Sequence, residues 1–491
     1  MPLVAGIDSS TQACTIVLRD ADHGRVVATA EAPHPPASPP VSEQAPEAWW
    51  EALLGAARQL DLRDVVAVSI DGQGHGLVVL DAAGRALRPA KLWNDLTATA
   101  EARQLVELLG AEGWARRTGI VPTSAITIAK VLWLKQHEPW VLDKASMLLL
   151  PPNYLTYRLT AAHVTDRSEG AGTGYMDAAA SAWDTDILTL VDVQRDWASM
   201  LPSVAGPVDA AVTMTNQAAR ATGFPEGIMV GPGANDQPVA ALALGVVGDD
   251  VIISLGTSGT VSARSTVPLI DPSGAVQSVA DATGAFRPLV CTQNATRVTD
   301  VFARLLGLDY ARLAELALEA PGDDGRPILV PYLEGERTPD RPDATGALAG
   351  IQADTTQGQI ARAAFEGVLM GLLEGLARLR AVGTPADGRL ILTGGGARSP
   401  AYRQFLADLA SAPVFVADLE ETSATGATVQ AAAIHHRVPI EDITTAWAPR
   451  LHEVAEPRAG QGVQALRARY RDLVEIDRLD RLGGAFSSAP G

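Results

Sequence analysis

The stretch Val4-Ala-Gly-Ile-Asp-Ser-Ser-Thr-Gln-Ala-Cys-Thr-Ile-Val-Leu18 decides the fold. Residues 4–7 are apolar and read as a short buried strand. The chain then meets Asp8-Ser9-Ser10-Thr11-Gln12 and resumes at residues 15–18 as a second strand. A strand, a small hydroxyl-rich turn and a strand bring main-chain N–H groups, hydroxyls and one carboxylate to one end of a sheet. A phosphate tail offers no shape for apolar side chains to grip. It is held by such turns, by hydroxyls and by a metal fixed on carboxylates.

The pattern returns about half the chain later. Residues 251–255 are apolar, Gly256-Thr257-Ser258-Gly259 breaks them, and residues 260–263 resume. Two copies predict a duplicated architecture in which each half presents one turn to a shared cleft. A third turn, Gly394-Gly395-Gly396-Ala397, also follows an apolar strand, residues 390–392. Taken singly, each segment reads as well as an ordinary turn. No Gly-x-x-x-x-Gly-Lys-Ser/Thr occurs, which disfavours a P-loop enzyme.

Outward from these turns the elements alternate. Pro-rich residues 33–46 form a surface loop, and residues 47–60 a helix with Trp49, Trp50, Leu53 and Leu54 inward. Residues 65–70 and 77–80 are strands around Asp71-Gly-Gln-Gly-His-Gly76. A helix over residues 359–382 carries Gly367, Gly371 and Gly375 as one small-residue stripe, which predicts very close packing of another backbone. Gly383 is its C-cap. Ser399 and Pro400 open the next helix as N-cap and first residue. Residues 414–416 and 425–436 add a strand and a helix, and residues 483–491 read as a loose tail. The class is α/β.

At 491 residues the chain has room for two or three domains of roughly 150 residues. Apolar residues make up 47% and charged residues 20%, which excludes a disordered chain. Lys+Arg number 39 against Asp+Glu 57, a net charge of −18 with no basic run, which excludes a general nucleic-acid binder. Cys14 and Cys291 stand far apart, so neither a disulfide framework nor a cysteine-rich zinc site is expected. The start lacks the features of a secretion signal, and no run of 18 apolar residues marks a membrane span, so the expected address is cytoplasmic.

Four further places can carry chemistry. Asp236, in Val230-Gly-Pro-Gly-Ala-Asn-Asp236-Gln-Pro, follows a short strand and a flexible turn. A carboxylate there can accept the proton of an attacking hydroxyl, and it reads equally as a helix-capping aspartate. Asp8, at a strand end beside a phosphate turn, stands where Mg²⁺ would be wanted. His75 lies between glycines that let a ligand approach. Trp93-Asn94-Asp95 joins an aromatic face, suited to sugar C–H surfaces, to groups that hold hydroxyls.

Together these segments resemble the FGGY carbohydrate kinases. The stretches that carry the resemblance are Gly6-Ile-Asp8-Ser-Ser-Thr11, Gly72-Gln-Gly-His-Gly76, Leu92-Trp-Asn-Asp95, Ala129-Lys-Val-Leu-Trp133, Leu149-Leu-Pro-Pro-Asn-Tyr-Leu155, Thr165-Asp-Arg-Ser168, Asn235-Asp-Gln237, Ser254-Leu-Gly-Thr-Ser-Gly259, Pro331-Tyr-Leu-Glu-Gly-Glu-Arg-Thr-Pro339 and Gly394-Gly-Gly-Ala-Arg-Ser399. They stand in the family's order and span most of the chain.

The resemblance implies two actin-like (ribonuclease H-like) domains with mixed sheets flanked by helices around a central cleft. Residues 1–244 would bind sugar and residues 245–491 nucleotide. It implies transfer of the ATP γ-phosphoryl group to the terminal hydroxyl of a ketopentose, D-xylulose foremost, giving the 5-phosphate. Carried over, Asp236 matches the catalytic base and Asp8 the carboxylate near the phosphates, both beside Mg²⁺. Gly74, His75, Trp93, Asp95 and Gln237 match sugar-pocket positions. Ser9, Ser10, Thr11, Gly256, Thr257 and Ser258 match the phosphate turns, and Gly395, Gly396 and Ser399 the adenosine-side loop. Sugar and ATP are the implied partners, with no nucleic acid or membrane, and a homodimer is the implied assembly.

The chain departs from the family at Ser10, where a glycine is usual, and at Gly74, Gln237 and Thr97, where a bulky residue, an asparagine and an arginine are common. The last three bear on which sugar enters. Two other readings stand beside this one: a family member acting on ribulose, a hexulose or a polyol, and an actin-like ATP-driven scaffold or chaperone, which would need no sugar pocket.

Overall fold

The structure, a computed structural model, describes residues 1–209, 212–246, 248–460 and 462–475. The expected tail over residues 483–491 lies outside them. The chain packs as two compact units. The first comprises Met1–Val246, Thr266–Arg287 and Leu419–Pro449, and the second Val247–Ser265, Pro288–Asp418 and Arg450–Gly491. A division at residue 244 leaves the two later segments of the first unit in the C-terminal half. In the structure they pack with the N-terminal half, and the last of them brings it the helix Thr422–His436.

In the first unit, β1 (Leu3–Ser9) and β2 (Ala13–Asp20) form the hairpin expected from the opening stretch, and β3 (Val26–Pro33) continues it antiparallel. On the other side β1 pairs parallel with β4 (Val65–Gly72). The sheet is extended past β4 by β5 (Val212–Thr213) and β6 (Met229–Val230), while β7 (Ala234–Asn235) pairs with the end of β4. Side chains alternate across β1. Leu3, Ala5 and Ile7 enter a core with Trp49, Leu53 and Leu54 of the helix Pro46–Ala57. Val4 faces the other way, into a cluster with Val239 and Ala427. A side chain on Gly6 would collide with the main chain at Ala424 and Thr428, so the helix Thr422–His436 lies directly on the strand.

The second unit repeats the hairpin with β8 (Val251–Leu255) and β9 (Gly259–Ala263). In sheet order, β10 (Phe286–Thr292), β9, β8, β11 (Leu390–Thr393), β12 (Val414–Ala417) and β13 (Leu451–Ala455) follow one another. As in the first unit, a three-strand antiparallel meander is followed by two parallel strands and an antiparallel edge. The edge strand precedes its neighbour in the chain in the first unit and follows it in the second.

The long helix runs Gln357–Ala381, opened by a capping box of Thr356 and Gln359. Its glycine stripe is used at two of three positions. A Cβ on Gly367 would lie 2.5 Å from the Leu329 carbonyl oxygen, and one on Gly375 3.0 Å from Val261 and Val290. Gly371 makes only ordinary contact, 3.6 Å from Tyr470. Among the described residues, no helix is long and apolar enough to cross a membrane.

Candidate active site

In the first unit the ends of β1 and β4 and the start of the helix Asp236–Ala243 bring carboxylates together. Asp8 and Asp71 are register partners on parallel strands. Asp236 is the first residue of its helix, behind the N-cap Asn235, whose side chain accepts from the Gln237 N–H at 3.3 Å. Glu169 lies in the short helix Arg167–Ala171, capped by Asp166. Asp166 also accepts from the Ser168 hydroxyl at 2.7 Å, and that oxygen receives the Asn235 N–H at 3.0 Å. The Thr165-Asp-Arg-Ser168 stretch thus holds the segment on which Asp236 stands.

These carboxyls all titrate high. Burial pushes Asp236 up from 3.8 to about 6, against the pull of Gln237 hydrogen bonds. Burial, then Asp236 and Glu421, raise Asp8. Burial, then Asp8, Asp236 and Glu169, raise Asp71. Burial, then Asp166 and Asp236, raise Glu169. Asp71 and Glu169 were not among the residues expected from sequence. One local signal was present: Ile70-Asp71 ends an apolar strand as Ile7-Asp8 does.

The turn after β1 faces the expected sugar residues. Trp93 Nε1 donates to Thr11 Oγ1 at 2.9 Å, and that hydroxyl lies 3.4 Å from Gln73 Oε1. The Ser10 hydroxyl donates to the Ala13 carbonyl at 3.1 Å and accepts the Ala13 N–H at 3.3 Å, so it closes the hairpin. The Ser9 hydroxyl is buried without a hydrogen-bond partner. His75 takes a left-handed backbone, φ 63°, and its Nδ1 lies 2.7 Å from the Gly172 carbonyl oxygen. A carbonyl only accepts, so Nδ1 carries a proton and the ring is fixed in orientation. The ring rests against Gly172, where a Cβ would come within 2.8 Å of it.

Asp95 sits differently from its neighbour Trp93. It has no exposed surface. Its oxygens accept from the Ser42 N–H at 2.8 Å, the Thr97 N–H at 3.0 Å and the Thr97 hydroxyl, with Lys91 Nζ at 3.4 Å. Lys91 also donates to Thr97 Oγ1 at 2.6 Å and stands 3.8 Å over the Trp133 ring. Asp95 therefore anchors the loop that carries Trp93. Lys91, six residues upstream, is thus the cation that stands against Thr97, and it also bridges to Glu43 at 2.9 Å.

In the second unit the turn Gly256-Thr257-Ser258 is closed by the Gly256 N–H on the Ser258 carbonyl, 3.0 Å. The Thr296 hydroxyl holds Gly256 from behind, 2.8 Å from its carbonyl oxygen. Thr257 is exposed at the tip. The Gly394–Gly396 turn packs against the same place, since a Cβ on Gly396 would lie 2.6 Å from that of Leu255. Gly395 is open and exposed. Ser399 is buried, and its hydroxyl caps the helix Pro400–Ala410 by accepting from Tyr402. In the Gly-Glu-Arg-Thr-Pro stretch, Glu336 folds its own loop, accepting from the Gln293 N–H, Asn294 Nδ2 at 3.1 Å and the Arg337 N–H at 2.8 Å.

The comparisons place the chain among the sugar phosphotransferases. The chain belongs to the FGGY family of carbohydrate kinases: the family's N-terminal domain matches residues 3–243 and its C-terminal domain residues 251–434. It is an enzyme, a phosphotransferase with an alcohol group as acceptor and ATP as donor, and its mixed sheets have the family's actin-like architecture. It is 42% identical to a xylulose kinase of Streptomyces coelicolor, over 99% of this chain and 96% of that one. It is 38% identical to a xylulose kinase of Streptomyces rubiginosus over the same shares, 99% and 96%. Its fold matches that of the xylulose kinase from Bifidobacterium adolescentis with a TM-score of 0.86, at 35% identity over 96% of this chain and 99% of that one.

Proposed function

We propose that this kinase phosphorylates the terminal hydroxyl of D-xylulose, giving D-xylulose 5-phosphate, in the cytoplasm where ATP is supplied. The names of its relatives at 42% and 38% identity support the sugar. The observation that carries the chemistry is Asp236, half-buried at a helix start beside Asp8, with its carboxyl raised to about 6 and so ionised at neutral pH.

Phosphoryl transfer passes through a loose transition state, so catalysis is mainly alignment and charge stabilisation. The terminal hydroxyl oxygen of the sugar forms a bond to the γ-phosphorus as the bond to the ADP oxygen breaks. Its proton moves to Asp236. His75, Trp93 and Gln237 bind the sugar, and Gly74 makes room for the Asn235 amide beside them. The turn of Ser9, Ser10 and Thr11 is suited to phosphate oxygens, and so, within its own unit, is that of Gly256, Thr257 and Ser258. Gly395 and Gly396 take the adenosine side, and Ser399 sets the pitch of the helix behind them.

Mg²⁺ fits beside Asp8. One buried oxygen of that carboxylate has no hydrogen-bond partner, and Asp236 and Glu421 both press on it with negative charge. When bound, the ion neutralises charge on the ATP phosphates. The test is ADP release over a panel of ketoses, aldoses and polyols, with the product identified by mass and by the position of its phosphate. D-Xylulose should give the highest kcat/KM, and another sugar ranking above it overturns the assignment.

A further inference from the structure

Buried carboxylates in this protein are, as a rule, matched. Asp20 accepts from the Asp22 and His23 N–H groups, Asp95 from Ser42 and Thr97, Asp408 from Arg458, and Glu366 from Arg326 and Arg362. Asp71 and Glu169 are the exceptions: neither oxygen of either has a hydrogen-bond partner. Asp71 has no exposed surface. Its register partner Asp8 also has an unpartnered buried oxygen. Among the described residues no lysine or arginine pairs with either. The charges that act on Asp71 come from Asp8, Asp236 and Glu169, all of one sign.

A buried anion without hydrogen bonds or a counter-ion is strongly disfavoured. Parallel strands lie about 4.8 Å apart, and register partners project to the same face, so the two carboxyl groups are neighbours. We propose that Asp71 completes, with Asp8, a two-carboxylate seat for one Mg²⁺-sized cation, so that the enzyme takes up the ion without nucleotide. The inference rests on the placing of the ion beside Asp8 in the proposed function, and adds a residue to it.

The donor count selects the ion. Among the described residues, three ligand atoms lie within 4.8 Å of one another only at Asp20, Asp22 and His23, in a surface turn whose carboxylate is already hydrogen-bonded. Asp8 and Asp71 therefore offer two carboxylates and leave the other positions to water. That suits Mg²⁺ and Mn²⁺, which keep several waters, and not Ca²⁺, which takes six to eight oxygens.

The test uses the full chain with Mn²⁺ alone, without ATP or sugar, and reads free Mn²⁺ by electron paramagnetic resonance. Wild type should bind one Mn²⁺, displaced by Mg²⁺ more readily than by Ca²⁺. Asp71→Asn should weaken binding roughly ten- to hundredfold. Since Asn removes one of two repelling buried charges, this variant should melt no lower than wild type in chelator, and Mg²⁺ should raise its melting temperature less than that of wild type. Asp71→Ser serves as the second variant if the Asn chain folds poorly. Equal Mn²⁺ affinity in wild type and variant, or no Mn²⁺ bound by wild type without nucleotide, overturns the proposal. D-Xylulose phosphorylation by wild type is scored separately, so failure of the sugar assignment leaves the Mn²⁺ result standing.

Discussion

A side chain on Gly74 would run into the amide nitrogen of Asn235. The space before His75 is thus filled from β7, by the residue that caps the Asp236 helix. Gly74→Met should push Asn235 off its cap and shift Asp236. A displacement of about 1 Å at a reacting group costs on the order of 100-fold, so kcat/KM for the sugar should fall by about that much. Adding Asn235→Gly empties the space at a cap cost of only a few tenths of a kcal/mol, and should recover about tenfold or more. Near-normal kinetics in Gly74→Met alone would show that the two residues do not compete.

The Asp236 carboxyl, raised from 3.8 to about 6, has two pH signatures. As a base it works only when ionised, so kcat/KM should rise with pH up to about 6 and then level. Asp236→Asn should lower turnover by roughly 10²- to 10⁴-fold, keep ATP binding and lose that limb. Stability runs the other way. Between the unfolded and folded values the folded chain holds more protons, so this group favours folding at low pH and loses that contribution as pH rises through about 6. Denaturation of wild type and Asp236→Asn on both sides of that pH measures it. A pH-independent difference between them would contradict the assignment.

Lys91 and Asp95 are a buried ion pair with 1% and 0% exposed surface. Asp95→Ala leaves the Lys91 ammonium its shorter bridge to Glu43, 2.9 Å, but strips the Ser42 and Thr97 N–H groups of their acceptor, and should cost about 1–3 kcal/mol, visible in urea denaturation. Thr97→Val removes one hydrogen-bonding hydroxyl and should cost about 1–2 kcal/mol. A sugar KM that rises in Thr97→Val with no loss of stability would instead put this cluster in contact with substrate.

Ser399→Ala removes an N-cap and should cost about 1 kcal/mol of stability. The KM for ATP should stay unchanged, because the hydroxyl is engaged inside the protein. A large rise in that KM with stability intact would move Ser399 into the nucleotide site.

What the sequence showed, it showed through local pattern. The two strand–turn–strand pairs, Ser399-Pro400 and the close packing at Gly367 are all readable within a few residues, and all are found. Asp71 escaped because its significance depends on register between strands some 60 residues apart, which no window contains. Lys91 escaped for a related reason: the arginine lacking at Thr97 drew attention to that position, while the cation that bonds Thr97 stood six residues upstream. Asp95 and Ser399 carry motif-type residues whose polar atoms turn inward, and burial of that kind is not written in a motif.

The helix Thr422–His436 covers Gly6 and Val4, near the start of the chain. During synthesis the first unit therefore remains unfinished until some 430 residues have been made, with one side of its sheet greasy and open. A fragment ending at Val246 would keep that side bare and should clump or enlist a chaperone, so the two units are not separable by a single cut.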